Sequence, residues 1–188
     1  MRIDPRELRN CLGHFATGVT VVTCHTPDGT AHGATVNAFT GVSLEPPLVL
    51  VCVNNGSRMS SYLDGVPFAV NVLHRDQQDL ALHFAGRPQV DEIDWRTRTP
   101  GDGAPVLAGC LATISCTPWR TYDGGDHTLF LGEVQEIHRA AGRPLLFHSG
   151  QFHDLHHDPG PAPWEGSGDA PAAMAWIAEA AALLEQRI

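Results

Sequence analysis

Apolar and polar residues alternate along the chain in short, interrupted blocks. The stretch RIDPRELRNCLGHF (2–15) carries Leu8, Cys11 and Leu12 at helical spacing, behind Asp4 as a good N-cap and Pro5 at the first helical position. The β-branched run GVTVVTC (18–24) predicts a strand, and Pro-Asp-Gly within 25–30 predicts a turn, so 18–39 reads as a hairpin. After Pro46-Pro47, the continuous apolar run LVLVCV (48–53) predicts a strand buried on both faces. Asn54-Asn55-Gly56 reads as a turn, and Ser57 caps a short helix ending near Asp64-Gly65. PFAVNVL (67–73) is a further strand. Residues 75–86 form a helix with Leu80 and Phe84 on one stripe and Gly86 as terminator.

Residues 87–105, rich in Pro, Gly, Asp and Arg, read as a loop. The segments 106–122, 127–140 and 144–155 supply three to five more strands. At least six strands with short helices between them predict a mainly β domain, a barrel with helical insertions, over residues 1–156. A Pro/Gly-rich linker follows at 157–168, then a C-terminal helix at 169–188. Its apolar stripe, Met174, Ile177, Ala181, Leu184 and Ile188, suits docking on its own domain or a contact with a subunit or partner.

One strand breaks the pattern. In HGATVNAFTGVSLEPP (32–47), Thr35 and Asn37 fall on one face and Val36 on the other, which leaves a polar row among apolar neighbours. Such a row needs water, a protein partner or a ligand opposite it.

Composition narrows the choice. A hydrophobic fraction of 43% and a charged fraction of 18% suit a soluble globular domain. A formal net charge of −9 disfavours nucleic acid or an anionic membrane as partner. All 12 basic residues are Arg, so Schiff-base chemistry on Lys is excluded. Five cysteines without a C-x-x-C pair predict reduced, buried thiols and a cytoplasmic location. No apolar run has the length of a signal peptide or a membrane span. No dinucleotide fingerprint, P-loop or nucleophile elbow occurs. His153, Asp154, His156, His157 and Asp158 cluster at the end of the barrel, without remote ligands in evidence. They read as an exposed polar stretch, and no metal is expected.

Four features remain as candidate chemistry. They are the Thr35–Asn37 row; Asn54 leading through the turn to Ser57 and Arg58, where free N–H groups and a cation suit a phosphate; HFAGR (83–87); and Asp126-His127 at the start of a strand after Gly-Gly. Together they suit a flat, amphipathic, nucleotide-like cofactor. Each also has a purely structural reading: Asn37 as partner of a barrel backbone group, Ser57 as a helix cap, His127 as a surface residue of a turn.

HFATGVTVVT (14–23), DGTAHGATVNAFTGVSLEPPLVLVCV (28–53), PFAVNVL (67–73), HFAG (83–86), YDGGDHTLFLGEV (122–134) and PLLFHSGQF (144–152) occur in that order. On these segments the chain resembles the flavin reductase-like family, the FMN-binding split barrel, and within it the reductase components of two-component flavin monooxygenases. The resemblance implies an NAD(P)H:flavin oxidoreductase that moves a hydride from nicotinamide C4 to flavin N5. It implies FAD or FMN as the flavin, a homodimer, and diffusion of reduced flavin to a partner monooxygenase in a natural-product or aromatic-compound pathway. By the resemblance, Thr35, Val36, Asn37 and Ala38 line the flavin, with Ala38 standing where the family usually has Ser. Cys52, Val53 and Asn54 pass beside the ring or ribityl chain, and Ser57 and Arg58 bind the phosphate. His83, Phe84, Ala85, Gly86 and Arg87 reach the phosphate end or the adenylate. His127 contacts the nicotinamide, with Asp126 and Phe152 beside it. The SGQF segment (149–152) lacks the basic residues common in relatives. NADH is favoured over NADPH because no compact Arg cluster stands out for a 2′-phosphate. The alternatives are a flavin-retaining oxidase or oxygenase of the same fold, and a non-catalytic flavin-binding module.

Overall fold

Two residues, Asn37 and Ala38, separate β3 (Ala31–Val36) from β4 (Phe39–Leu44), yet these strands lie at opposite ends of one seven-stranded sheet. The sheet order is β3-β2-β6-β9-β10-β5-β4, with β2 at Thr20–His25, β5 at Pro47–Asn54, β6 at Phe68–Val72, β9 at Ala112–Asp123 and β10 at His127–Arg139. A link of two residues spans only about 10 Å. The sheet therefore curls until its edges meet at Asn37-Ala38, and the Cys52 N–H, donating to the Ala38 carbonyl at 3.0 Å, extends the β4–β5 pairing up to that link. The result is a split β-barrel, as the sequence implies, seen in a computed structural model that describes residues 3–96 and 103–155. The described strands and helices all fall within one unit, Met1–Asp154. The linker and C-terminal helix expected at 157–188 lie outside the described residues.

The barrel interior is filled by alternate side chains of these strands, among them Val22, Val36, Val51, Phe68 and Phe130. A second core, with Val21, Leu73, Ala81 and Leu145, lies on the outer side, beneath α3 (Gln78–Phe84). There β1 (Thr17–Gly18) pairs with β11 (Leu145–His148), which pairs with β12 (Gln151–Asp154).

Local signals act as their chemistry dictates. Asp4 accepts from the Arg6 N–H at 2.8 Å and caps α1 (Pro5–Leu12). Ser57 accepts from the Ser60 N–H at 3.2 Å and caps α2 (Arg58–Leu63). The helix expected over 75–86 begins as a 3₁₀ turn, Arg75–Gln77, because His74 and Gln77 form a capping box, and it ends before Gly86 at φ 84°.

Four expectations need correction. The apolar run 48–53 is not buried on both faces. Val49, Val51 and Val53 enter the barrel, while Leu48, Leu50 and Cys52 are only half-buried on the opposite face. The strand expected at 18–24 is divided, since Thr17–Gly18 pair with β11 while β2 starts at Thr20. The segment 87–105 is not wholly loop, because β7 (Trp95–Arg96) pairs with β8 (Val106–Leu107) and brings Trp95 edge-on to Phe84 at 6.2 Å. The thiols are not all buried: Cys11 is exposed on α1, which has no buried residue, and Cys52 is half-buried.

Candidate functional site

Leu50 and Cys52 are half-exposed because they floor a cleft of about 910 Å³. Its lip is the barrel closure, Asn37, Ala38, Phe39 and Thr40. The opposite wall is the end of α1 with His14, Phe15 and Thr17, and Phe147 and Ser149 complete it. Apolar walls with a few polar groups at the rim are what a flat ring system requires. The Thr17 hydroxyl is buried in this wall and finds no hydrogen-bond partner among the described residues. A buried hydroxyl without a partner costs about 1–3 kcal/mol, so a ligand atom opposite it is the physically economical completion. The residues present therefore fit a flavin ring. Burial of Cys52 raises its thiol above the ordinary value, which keeps it neutral beside that space.

The polar row proves to be two things. Thr35 pairs with Val21 on the outer side of the barrel and donates its hydroxyl to the Ala81 carbonyl of α3 at 2.6 Å. Val36 points into the barrel core. Only Asn37 and Ala38, beyond the end of β3, meet the cleft. Val53 is likewise a core residue, while Cys52 lines the cleft and Asn54 is exposed at the end of β5.

Asn54 pairs across the ladder with His127, the first residue of β10, and Cys52 with Leu129. Directly opposed residues share a face of the sheet, so His127 stands on the cleft face one row beyond Cys52. Its Nδ1 lies 2.8 Å from Asp126 Oδ1. An ionised carboxylate only accepts, so Nδ1 carries the hydrogen. The hydrogen bond from His127, reinforced by its charge, holds the Asp126 carboxyl below the usual range. The turn before it requires glycine: a Cβ on Gly124 would stand 2.4 Å from Leu129 Cδ1, and Gly125 has φ 82°.

Ser57 donates to the Asn54 carbonyl at 2.7 Å besides capping α2, and Arg58 is exposed next to it. Burial, then the Arg58 charge, lowers the His32 imidazole, which packs edge-on to Tyr62 at 5.0 Å. At the end of α3, His83 is half-buried against Phe84 at 5.3 Å, and Phe84 covers Gly33. Ala85, Gly86 and Arg87 are exposed beyond it. Phe152 does not reach the cleft directly but packs on Phe147 at 5.3 Å. The cleft thus unites Asn37, Ala38 and Cys52, the His127 turn adjoins it through Asn54, and Thr35, Val36, Val53 and Phe84 are committed to packing. The α1 wall and Thr17 escape a reading of the sequence. The one available signal was an apolar helix face with nothing in the sequence to cover it.

A split barrel with an apolar cleft at its seam is an architecture suited to a flat cofactor. Comparison with known proteins agrees. A model of the flavin reductase like domain matches residues 12–156. An NADH-dependent FAD reductase of Streptomyces globisporus is 44% identical over 161 residues, covering 80% of this chain and 87% of the relative. An NADH-dependent flavin reductase of a Rhodococcus species is 39% identical over 160 residues, covering 81% and 88%. The solved NADH:FAD oxidoreductase of Streptomyces globisporus in complex with NAD and FAD fragments aligns with TM-score 0.75 at 42% identity, covering 85% of this chain and 99% of the other. The chain belongs to the flavin reductase-like family.

Proposed function

We propose that the protein is an NADH:flavin oxidoreductase that supplies reduced FAD or FMN to a partner monooxygenase, with the cleft between α1 and the barrel seam as the place where flavin and nicotinamide meet. The observation that carries this reading is the orphaned Thr17 hydroxyl in the wall of that cleft. When bound together, the two nucleotides supply the hydride, which passes from nicotinamide C4 to flavin N5. The chain supplies placement. Leu50, Cys52, Phe15 and Phe147 exclude water from the ring faces, and the Asn37 amide and Thr17 hydroxyl bond the ring's polar edge. Ala38 has no hydroxyl to offer, so its contribution is through the backbone. Ser57 and Arg58 hold the phosphate, with HFAGR (83–87) toward the adenylate end of a longer flavin. His127, fixed by Asp126, meets the nicotinamide. No side chain acts as an obligatory acid or base.

NADH rather than NADPH is supported by the named relatives, which use NADH. A homodimer is supported by Leu12 and Phe15, apolar side chains on the rim of the cleft that are 64% and 78% exposed. A cytoplasmic location is supported by Cys24, Cys110 and Cys116, all buried and unpaired. No helix among the described residues is long and apolar enough to cross a membrane.

The test is NADH oxidation by the purified protein without flavin, with FMN and with FAD. Turnover that saturates in one added flavin is expected. Binding of flavin without turnover, or tight stoichiometric flavin that never exchanges, overturns the proposal in favour of a binding module or a flavin-retaining oxygenase.

A further inference from the structure

Two adjacent asparagines stand at the end of β5, Asn54 as its last residue and Asn55 just beyond it, and they do different things. Asn54 makes a local turn, its Oδ1 accepting from the Gly56 N–H at 2.8 Å. Asn55 reaches across to the β9–β10 turn. Its backbone N–H donates to the Asp126 carbonyl at 3.0 Å, its Nδ2 donates to the Gly125 carbonyl at 3.0 Å, and its Oδ1 accepts from the Thr128 hydroxyl at 2.7 Å. The amide orientation follows from chemistry, since the Gly125 carbonyl can only accept and must face Nδ2. The three bonds grip the chain on both sides of His127.

We propose that Asn55 is a positioning residue for the His127 imidazole and, through it, for the nicotinamide. The inference rests on the nicotinamide-contacting role proposed above for His127. The turn has bonds of its own, from the Gly125 N–H to Asp123 Oδ1 at 2.7 Å and from the Gly124 N–H to the His127 carbonyl at 2.9 Å. Those bonds set its shape but not its placement, because all of them lie within one exposed hairpin. The β5–β10 ladder ends at the Asn54–His127 pair, and beyond it, among the described residues, Asn55 ties the turn itself to the end of the strand that carries Cys52 into the cleft. Without it, the turn that carries Asp126, and with it the imidazole bonded to that carboxylate, is held less firmly, and the ordering left to the incoming nucleotide appears as weaker binding.

The experiment is steady-state NADH oxidation at saturating flavin for the wild type, Asn55→Asp, Thr128→Val, His127→Ala and the Asn55→Asp/His127→Ala double variant. Flavin affinity and thermal midpoint are measured on each. Asn55→Asp keeps size and the acceptor for Thr128 but sets a carboxylate against the Gly125 carbonyl; Thr128→Val removes only the hydroxyl bond. Loss of one such bond corresponds to roughly a five- to tenfold rise in KM for NADH. The expected result is that rise in Asn55→Asp, a smaller rise in Thr128→Val, and kcat and flavin affinity close to wild type. The double variant should be no worse than His127→Ala alone. Unchanged KM in both single variants, alongside a raised KM in His127→Ala, overturns the clamp while leaving the His127 reading intact. Multiplied effects in the double variant, or flavin affinity falling in step with KM, also overturn it. A normal KM in His127→Ala defeats the underlying reading and this one with it.

Discussion

The Thr35 hydroxyl donates to the Ala81 carbonyl at 2.6 Å and so ties β3 to α3 across the outer side of the barrel. Half of the polar row on that strand therefore faces protein, and only the half at Asn37 faces the cleft. Thr35→Val is expected to lower stability by about 1 kcal/mol, the worth of one part-buried hydrogen bond, and to leave flavin affinity nearly unchanged. Denaturant midpoints and flavin titration measure the two effects separately. A large loss of flavin affinity at unchanged stability would return Thr35 to the binding site.

Thr17 should behave in the opposite way. Its buried hydroxyl has no partner among the described residues, so Thr17→Val removes an uncompensated polar group. Stability should hold or rise, whereas flavin or NADH binding weakens by roughly tenfold through loss of one hydrogen bond. Wild-type affinities for both nucleotides would sink this assignment.

Gly33 makes room for Phe84. A Cβ there would stand 2.7 Å from Phe84 Cε1 and 3.2 Å from Val21 Cγ1. Gly33→Ala is expected to cost roughly 1–3 kcal/mol by overpacking, and Phe84→Leu should absorb part of that cost. Additive destabilisation in the double variant would show that the two positions do not meet.

Burial pushes the Cys24 and Cys110 thiols up to about 11 and the Cys116 thiol up to about 12, from an ordinary value of 9.0. The folded state holds these protons more tightly than the unfolded chain does. The associated stability is complete below pH 9.0 and is lost as pH rises through about 11 to about 12. Denaturant midpoints should decline over that alkaline window, and less steeply in Cys116→Ala. Thiol labelling near neutral pH should reach exposed Cys11 first and spare the three buried thiols. Early labelling of Cys116 in native protein would contradict this burial.

The elements of this fold were legible in the chain because their causes are local. β-branched runs made strands, Asp4 and Ser57 supplied caps, and Gly86 ended a helix at a backbone angle that favours glycine. The family segments, including those with Asn37 and His127, could be recognised for the same reason: they are contiguous. What the sequence did not determine is which way each side chain is spent. Thr35 and Asn37 have the same period, yet one meets α3, 46 residues along the chain, and the other a cleft. Leu50 and Cys52 sit in an unbroken apolar run, and only closure of the barrel leaves their face open. The α1 wall, the orphaned Thr17 hydroxyl and the grip of Asn55 on Thr128 likewise join residues far apart in sequence. Spacing along the chain sets the face on which a residue lies. The element packed against that face is decided by the fold as a whole, because only there do distant segments compete for the same surface.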